Sequence, residues 1–174
     1  MKLAVAVRAI LASTLFACAN LAVAAEPETM VVSGAAANRI VGLWSTEAEV
    51  KPCGTDVPPS PVRNTLLFQA GGTIVENPLF PSGGIEGAAG VPGVYQRSQA
   101  LGTWTYNPTT GRYWIHLQFD NFIDATFVGV GVVDRYARMT NKGMKIQGPV
   151  SATRYNADGS VLVQVCGRAV STRL

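Results

Sequence analysis

Apolar and polar residues alternate with period two through most of the chain from Ile40 to Leu174. That period sends successive side chains to opposite faces of an extended strand. Arg112-Tyr113-Trp114-Ile115-His116-Leu117-Gln118-Phe119 is the clearest run, with Tyr113, Ile115, Leu117 and Phe119 on one face. In Ile40–Val50, Trp44, Thr46, Ala48 and Val50 share the expected inside face, and Leu43, Ser45, Glu47 and Glu49 share the other. Turn-forming residues separate the runs: Ala70-Gly71-Gly72, Asn107–Gly111, Asn141-Lys142-Gly143 and Asn156–Gly159. The pattern predicts eight strands, at 40–50, 64–69, 73–76, 98–106, 112–120, 125–139, 144–155 and 160–173. The sixth is apolar on both faces from Phe127 to Val133, and its glycines invite a bend or a close backbone approach.

Two segments read as long loops. Lys51–Val62 holds four prolines and a glycine. Asn77–Gln96 is rich in Gly and Pro, yet it carries Leu79, Phe80, Ile85, Val91, Val94 and Tyr95, which can pack onto a surface. Eight sequential antiparallel strands predict an all-β fold, an up-and-down barrel whose closure removes the sheet edges, with no helix after the last strand. Alternate connections then lie at opposite ends. Both long loops fall at one end, and all three connections at the other end are short. The expectation is a lidded mouth and a closed base.

The remaining chain sets the compartment. Residues 1–24 read as a signal peptide: Lys2 and Arg8, an apolar stretch from Ile10 to Ala22, then Ala22-Val23-Ala24 before a cleavage point. The stretch is shorter than the roughly 20 residues that span a bilayer. Leu15-Phe16-Ala17-Cys18 approximates a lipobox, so a lipoprotein anchored at Cys18 is the minor alternative, with Phe16 a poor fit. Residues 25–38 form a polar, Ala-rich arm expected to be loosely held, and 39–174 a single barrel domain, periplasmic or extracellular. Cleavage leaves 150 residues and lowers the net charge from +3 to +1. That balance offers no basic face for nucleic acid or an anionic membrane, and no later stretch is apolar enough to cross a bilayer as a helix. Cys53 and Cys166 remain as an even pair, which in an exported chain favours a disulfide. Placed opposite each other across strands 1 and 8, they would set Val50 against Ala169 and Ser45 against Leu174. Strand 1 must then run through Pro52 to Cys53, or the loop must fold back.

Gly42-Leu43-Trp44 heads the first strand and resembles the Gly-x-Trp mark of lipocalins and other calycins, and Gly102-Thr103-Trp104 repeats its spacing. A wider set adds the cysteine nine residues on, Phe68 before Gly71-Gly72-Thr73 and Glu76, Arg97-Ser98 before Leu101–Trp104, and Cys166 beside Gly167. Together these resemble a group of bacterial exported lipocalin-like proteins. The resemblance implies a barrel and secretion, with no named activity. It also implies that Trp44 packs at the closed base with an arginine from near the end of the barrel. Arg168 and Arg173 both qualify by spacing, and Arg168 is taken as the pair.

Candidate chemistry is sparse. His116 is the only histidine and shares its face with Trp114, Gln118 and Asp120; the apolar opposite face is the better inside face. No Gly-x-Ser-x-Gly elbow supports a Ser–His–Asp site. Glu47 and Glu49 read as a solvated pair, and Asp134, Arg135 and Arg138 as an outer ion-pair patch. Gly83-Gly84 and Gly87 precede no helix that could cradle a phosphate. No metal or cofactor is implied. The reading that follows is an exported barrel binding an apolar or amphipathic small molecule at the long-loop end, with Trp44, Phe68, Phe80, Tyr95, Trp104 and Phe127 as candidate contacts. A filled barrel that interacts through its loops is the alternative, and a barrel isomerase or cyclase is disfavoured for want of an acid–base pair. A void of roughly 300 Å³ or more beneath the lid marks the first, and a filled interior the second.

Overall fold

The structure, a computed structural model, describes residues 29–86 and 92–174. The expected signal peptide, Cys18 and Val91 lie outside the described residues. Ten strands form among the described residues: β1 Gly42–Pro52, β2 Ser60–Phe68, β3 Thr73–Pro78, β4 Ile85–Glu86, β5 Val94–Arg97, β6 Ala100–Asn107, β7 Arg112–Ile123, β8 Thr126–Thr140, β9 Lys145–Asn156 and β10 Val161–Arg173. Eight of them close an antiparallel barrel. β1 pairs with both β2 and β10, while β7 pairs with both β6 and β8. No α-helix occurs among the described residues.

The two extra strands come from the second long loop. β5 continues β6 past a break at Ser98-Gln99 and pairs with the far end of β7, and β4 folds back onto β5. The segment expected to act as a lid is therefore partly sheet, extending the barrel wall along the far end of β7. Strands this short carry no visible period in the sequence.

Closure fixes inside and outside. Trp44, Thr46 and Ala48 are buried along β1 while Leu43, Glu47 and Glu49 are exposed. Tyr113, Ile115, Leu117 and Phe119 are buried along β7. The β1–β10 register runs from Trp44 opposite Arg173 to Pro52 opposite Val165, so Val50 faces Gly167 and Ser45 faces Thr172. This differs by two residues from the directly opposed arrangement of the cysteines. Cys53 lies just beyond β1, its N–H bonded to the Gln164 carbonyl at 2.9 Å, and it bonds Cys166 diagonally with Cα atoms 5.0 Å apart. A slip of two, unlike a slip of one, leaves every side chain on its own face.

The base is a dry plug of large side chains. Trp44, Phe68, Ile74, Trp104, Tyr113 and Ile146 are essentially inaccessible. Trp44 meets Phe68 edge-on at 6.5 Å, and Phe68 meets Trp104 at the same distance. The arm closes the plug from below, against the expectation of a loose segment. Its 3₁₀ turn Ala37–Ile40 buries Ala37 and Ile40. Trp44 Nε1 donates to the Ile40 carbonyl at 2.8 Å, and the Tyr113 hydroxyl donates to the Ala36 carbonyl at 2.9 Å. Burial pushes the Tyr113 phenol up to about 12, so it is a fixed neutral donor at pH 7.

Arg173, not Arg168, packs on Trp44. Its guanidinium sits 4.3 Å from the Trp44 ring centroid and donates to the carbonyls of Val41 (2.9 Å), Arg39 and Gly143. Gly42 leaves the room: a Cβ there, at φ +132°, would fall 2.8 Å from Arg173 Nη1. Arg168 belongs to the outward set of β10 and lies exposed opposite Glu49. Arg173→Ala therefore removes a ring contact and three carbonyl partners, and should cost about 2–3 kcal/mol in urea unfolding, whereas Arg168→Ala should change stability by no more than about 0.5 kcal/mol. Equal effects would contradict the assignment. Reducing the disulfide, which spans 113 residues, should lower unfolding free energy by about 4–5 kcal/mol on the chain-entropy account, read as a drop in urea midpoint with dithiothreitol.

Candidate functional site

Above the aromatic plug the inward side chains become small. Ala48, Ala152 and Ala169 line the middle of the barrel, and the facing walls are Leu66, Ile115, Leu117 and Val133. The result is a chamber of about 130 Å³ beneath Phe80 and Arg97. Outside those two residues lies a solvent-open depression of about 410 Å³, rimmed by Pro81, Gln96, Ser98 and Phe122. The interior is thus neither filled nor as large as the roughly 300 Å³ typical of drug-sized pockets.

The mouth is built as a stack. Phe80 lies 5.9 Å from Tyr95, Arg154 sits 4.6 Å over the Tyr95 ring, and Arg97 sits between Phe80 (5.7 Å) and Phe119 (4.3 Å). The far end of the Phe119 ring fills the space beside Gly131, its cross-strand neighbour, where a Cβ would come within 2.2 Å of it. This is the close approach expected of the β8 glycines. The Tyr95 hydroxyl donates to Asn121 Oδ1 at 2.7 Å, and burial raises its pKa.

Four charged side chains line the chamber: Glu76, Arg97, Arg135 and Arg154. Arg97 clamps Glu76 with two bonds, Nη2–Oε1 at 2.5 Å and Nη1–Oε2 at 3.1 Å, and both side chains are about 95 % inaccessible by the structure's 6 % and 4 % exposures. Asn64 Nδ2 adds a third donor to Glu76, while Asn64 Oδ1 has no partner. Arg135 is 3 % exposed. Its Nη1 donates to Ser171 Oγ at 2.9 Å, and Nη2 donates to the carbonyls of Ile146 and Ala169 at 3.2 Å. Its Nε has no partner among the described residues. Desolvation lowers its pKa to about 10, which leaves it charged at neutral pH. Burial likewise lowers Arg154.

The candidate contacts separate into three places. Phe80 lines the chamber and Tyr95 packs behind it. Trp44, Phe68 and Trp104 sit in the plug at the opposite end, away from the chamber lining. Phe127 is 47 % exposed on the outer side of the mouth, 6.1 Å from Phe122, because the ladder slips between Asn121 and Phe122 and turns its side chain away. The reading of Asp134, Arg135 and Arg138 as one outer patch is corrected. Arg135 points inward, whereas Asp134 and the exposed Arg138 are on the outer face. Parity carries that signal: Gly131, Val133, Arg135 and Ala137 form the inward set of β8. Glu76 follows Ile74 inward in the same way, and a buried carboxylate needs a cation.

His116 is outside. Its Nδ1 is 2.9 Å from Asp134 Oδ1, with each side chain about two-fifths exposed, and Asp134 is followed across the sheet by Ser151. The carboxylate stands between histidine and serine, whereas a serine nucleophile needs the histidine in the middle. The described residues contain no cluster of three metal-ligating side chains.

Glu76→Ala leaves Arg97 buried without its counter-ion and should cost about 3–5 kcal/mol in chemical denaturation, while Glu76→Gln, which still accepts a bond, should cost less. A change below about 1 kcal/mol for the alanine variant would mean that the pair is solvated. Comparisons with protein-family models, with curated proteins and with solved structures find no match, so the site is read from its own geometry.

Proposed function

We propose that this is an exported binding protein that takes an apolar or amphipathic small molecule into the barrel from the long-loop end. The observation that carries the reading is the chamber between the aromatic plug and the Phe80–Arg97 roof. An eight-stranded barrel is just wide enough to fill with side chains or to hold one small ligand, and here alanines at three wall positions leave it unfilled. An engineered apolar cavity of about 150 Å³ takes up benzene, so about 130 Å³ suits a group of about six carbons, with anything longer continuing past Phe80 into the outer depression.

Export is supported by the Cys53–Cys166 bond and by the signal-like sequence of residues 1–24. No helix among the described residues is long and apolar enough to cross a membrane. The resemblance to lipocalin-like proteins is supported by Trp44 packing with Arg173 at the base, behind Gly42. The modest size of the chamber favours a second reading, a barrel acting through its loops. The lining offers no free acid–base pair for an isomerase, since Glu76 is held by Arg97 and Asn64.

Native mass spectrometry of protein purified from its own host decides between these readings. The binding reading requires an added mass that organic extraction removes. It further requires that Ala152→Phe, which projects a ring into the chamber, retain the fold and lose both the adduct and the uptake of octanol in calorimetry. An adduct-free wild type that takes up neither octanol nor octanoate would leave the loop-interaction reading.

A further inference from the structure

We infer that the chamber is built for an acid: a small amphiphile whose carboxylate is held by Arg135 and whose apolar part points toward the lid. This names the ligand class of the site proposed above and rests on that proposal.

Two of the three arginines lining the chamber differ in their partners. Arg97 has a carboxylate partner at the roof. Arg135, more deeply placed, has no Asp or Glu within salt-bridge distance among the described residues. Its bonds go to one hydroxyl and two carbonyls, all neutral. A buried ion without a counter-ion costs several kcal/mol, and neutral acceptors offset only part of that. A carboxylate arriving from the chamber would supply the missing charge.

The hydrogen-bond inventory has the same sense. Arg135 Nε–H is a buried donor without an acceptor, on a side chain that lines the chamber. Ser171 Oγ accepts from Arg135 and lies 2.7 Å from Thr46 Oγ1. With Ser171 giving its proton to Thr46, the Thr46 proton is left for the chamber, which Thr46 also lines. The Arg135 Nε–H and the Thr46 hydroxyl can then both donate to a carboxylate, and the fixed guanidinium charge mismatches an amine. The walls above are aliphatic, which suits the rest of an amphiphile. The lining as a whole carries three cations against one carboxylate, and Arg154 near the mouth has no acid partner among the described residues to cancel its attraction for an arriving anion.

The test is calorimetry on the mature, oxidised protein with octanoate against octanol, and benzoate against benzyl alcohol, to separate a chain from a ring. We expect at least one acid to bind about tenfold or more tighter than its alcohol, as charge-assisted bonds to a buried cation allow. Arg135→Met should erase that preference, and Arg154→Met should keep it. Equal binding of acid and alcohol by the wild type overturns the inference and leaves the binding site standing, whereas no binding of any of the four overturns the site itself. A preference that survives Arg135→Met, or vanishes with Arg154→Met, places the acid elsewhere and also overturns the inference. Should Arg135→Met fail to fold, the Nε–H resonance of Arg135 in the wild type gives the answer. It should shift with the preferred acid and not with its alcohol, and an unmoved resonance would count against the assignment.

Discussion

The seam between β1 and β10 is the contact on which the rest of this protein depends. Without it the sheet has two free edges and no enclosed side, and alternation along the strands would have nothing to separate. The seam is fastened at both ends by different chemistry. Near the mouth, Cys53 and Cys166 hold it covalently. At the base, Arg173 lies over Trp44 and reaches across to the carbonyls of the incoming arm, while the Leu174 N–H bonds the Leu43 carbonyl at 3.0 Å. Midway, the Thr46 and Ser171 hydroxyls meet across it inside the barrel. That same pair helps to hold Arg135, so closure of the sheet and the polar floor of the chamber share residues.

Residue size, read along the barrel axis, explains why one half is solid and the other hollow. The base carries Trp44, Phe68 and Trp104 in edge-on contact, with Tyr113 tilted against Trp104, sealed beneath by Ala37 and Ile40. One level up, Ala48, Ala152 and Ala169 present methyl groups where larger residues would meet. At the roof, rings and guanidinium groups interleave from Arg154 through Tyr95, Phe80 and Arg97 to Phe119. Phe119 gains its place because Gly131 offers backbone instead of a side chain. The charges are graded too. The roof pair is neutralised by its own carboxylate, and the floor cation has no acid partner among the described residues.

The barrel itself was legible in the sequence because the two-residue period is local. The inward faces of β1 and β7 follow from alternation alone, as does the placement of His116 outside. The features that escaped are those set by distant partners or by very short segments. Ala37 and Ile40 sit in an Ala-rich stretch, and nothing nearby tells that the barrel base receives them. Asp134-Arg135 reads as a charged surface run until it is split by parity, which sends one residue out and the other in. Parity also separates Arg173 from Arg168, since Ala169, Ser171 and Arg173 share the inward set of β10. The two-residue offset at the cysteines was hidden because a diagonal bond preserves every face. Aromatic character alone points to the plug as readily as to the mouth. The chamber walls are alanines, valines and leucines that composition cannot distinguish from ordinary core.

The decisive measurement is a backbone NOE map of the oxidised mature protein in solution. The account requires close interstrand contacts that pair Ala48 with Ala169 and Thr46 with Ser171, together with slow amide exchange along both β1 and β10. If those contacts are missing and the two strands exchange as free edges, the barrel is open, and the enclosed chamber goes with it.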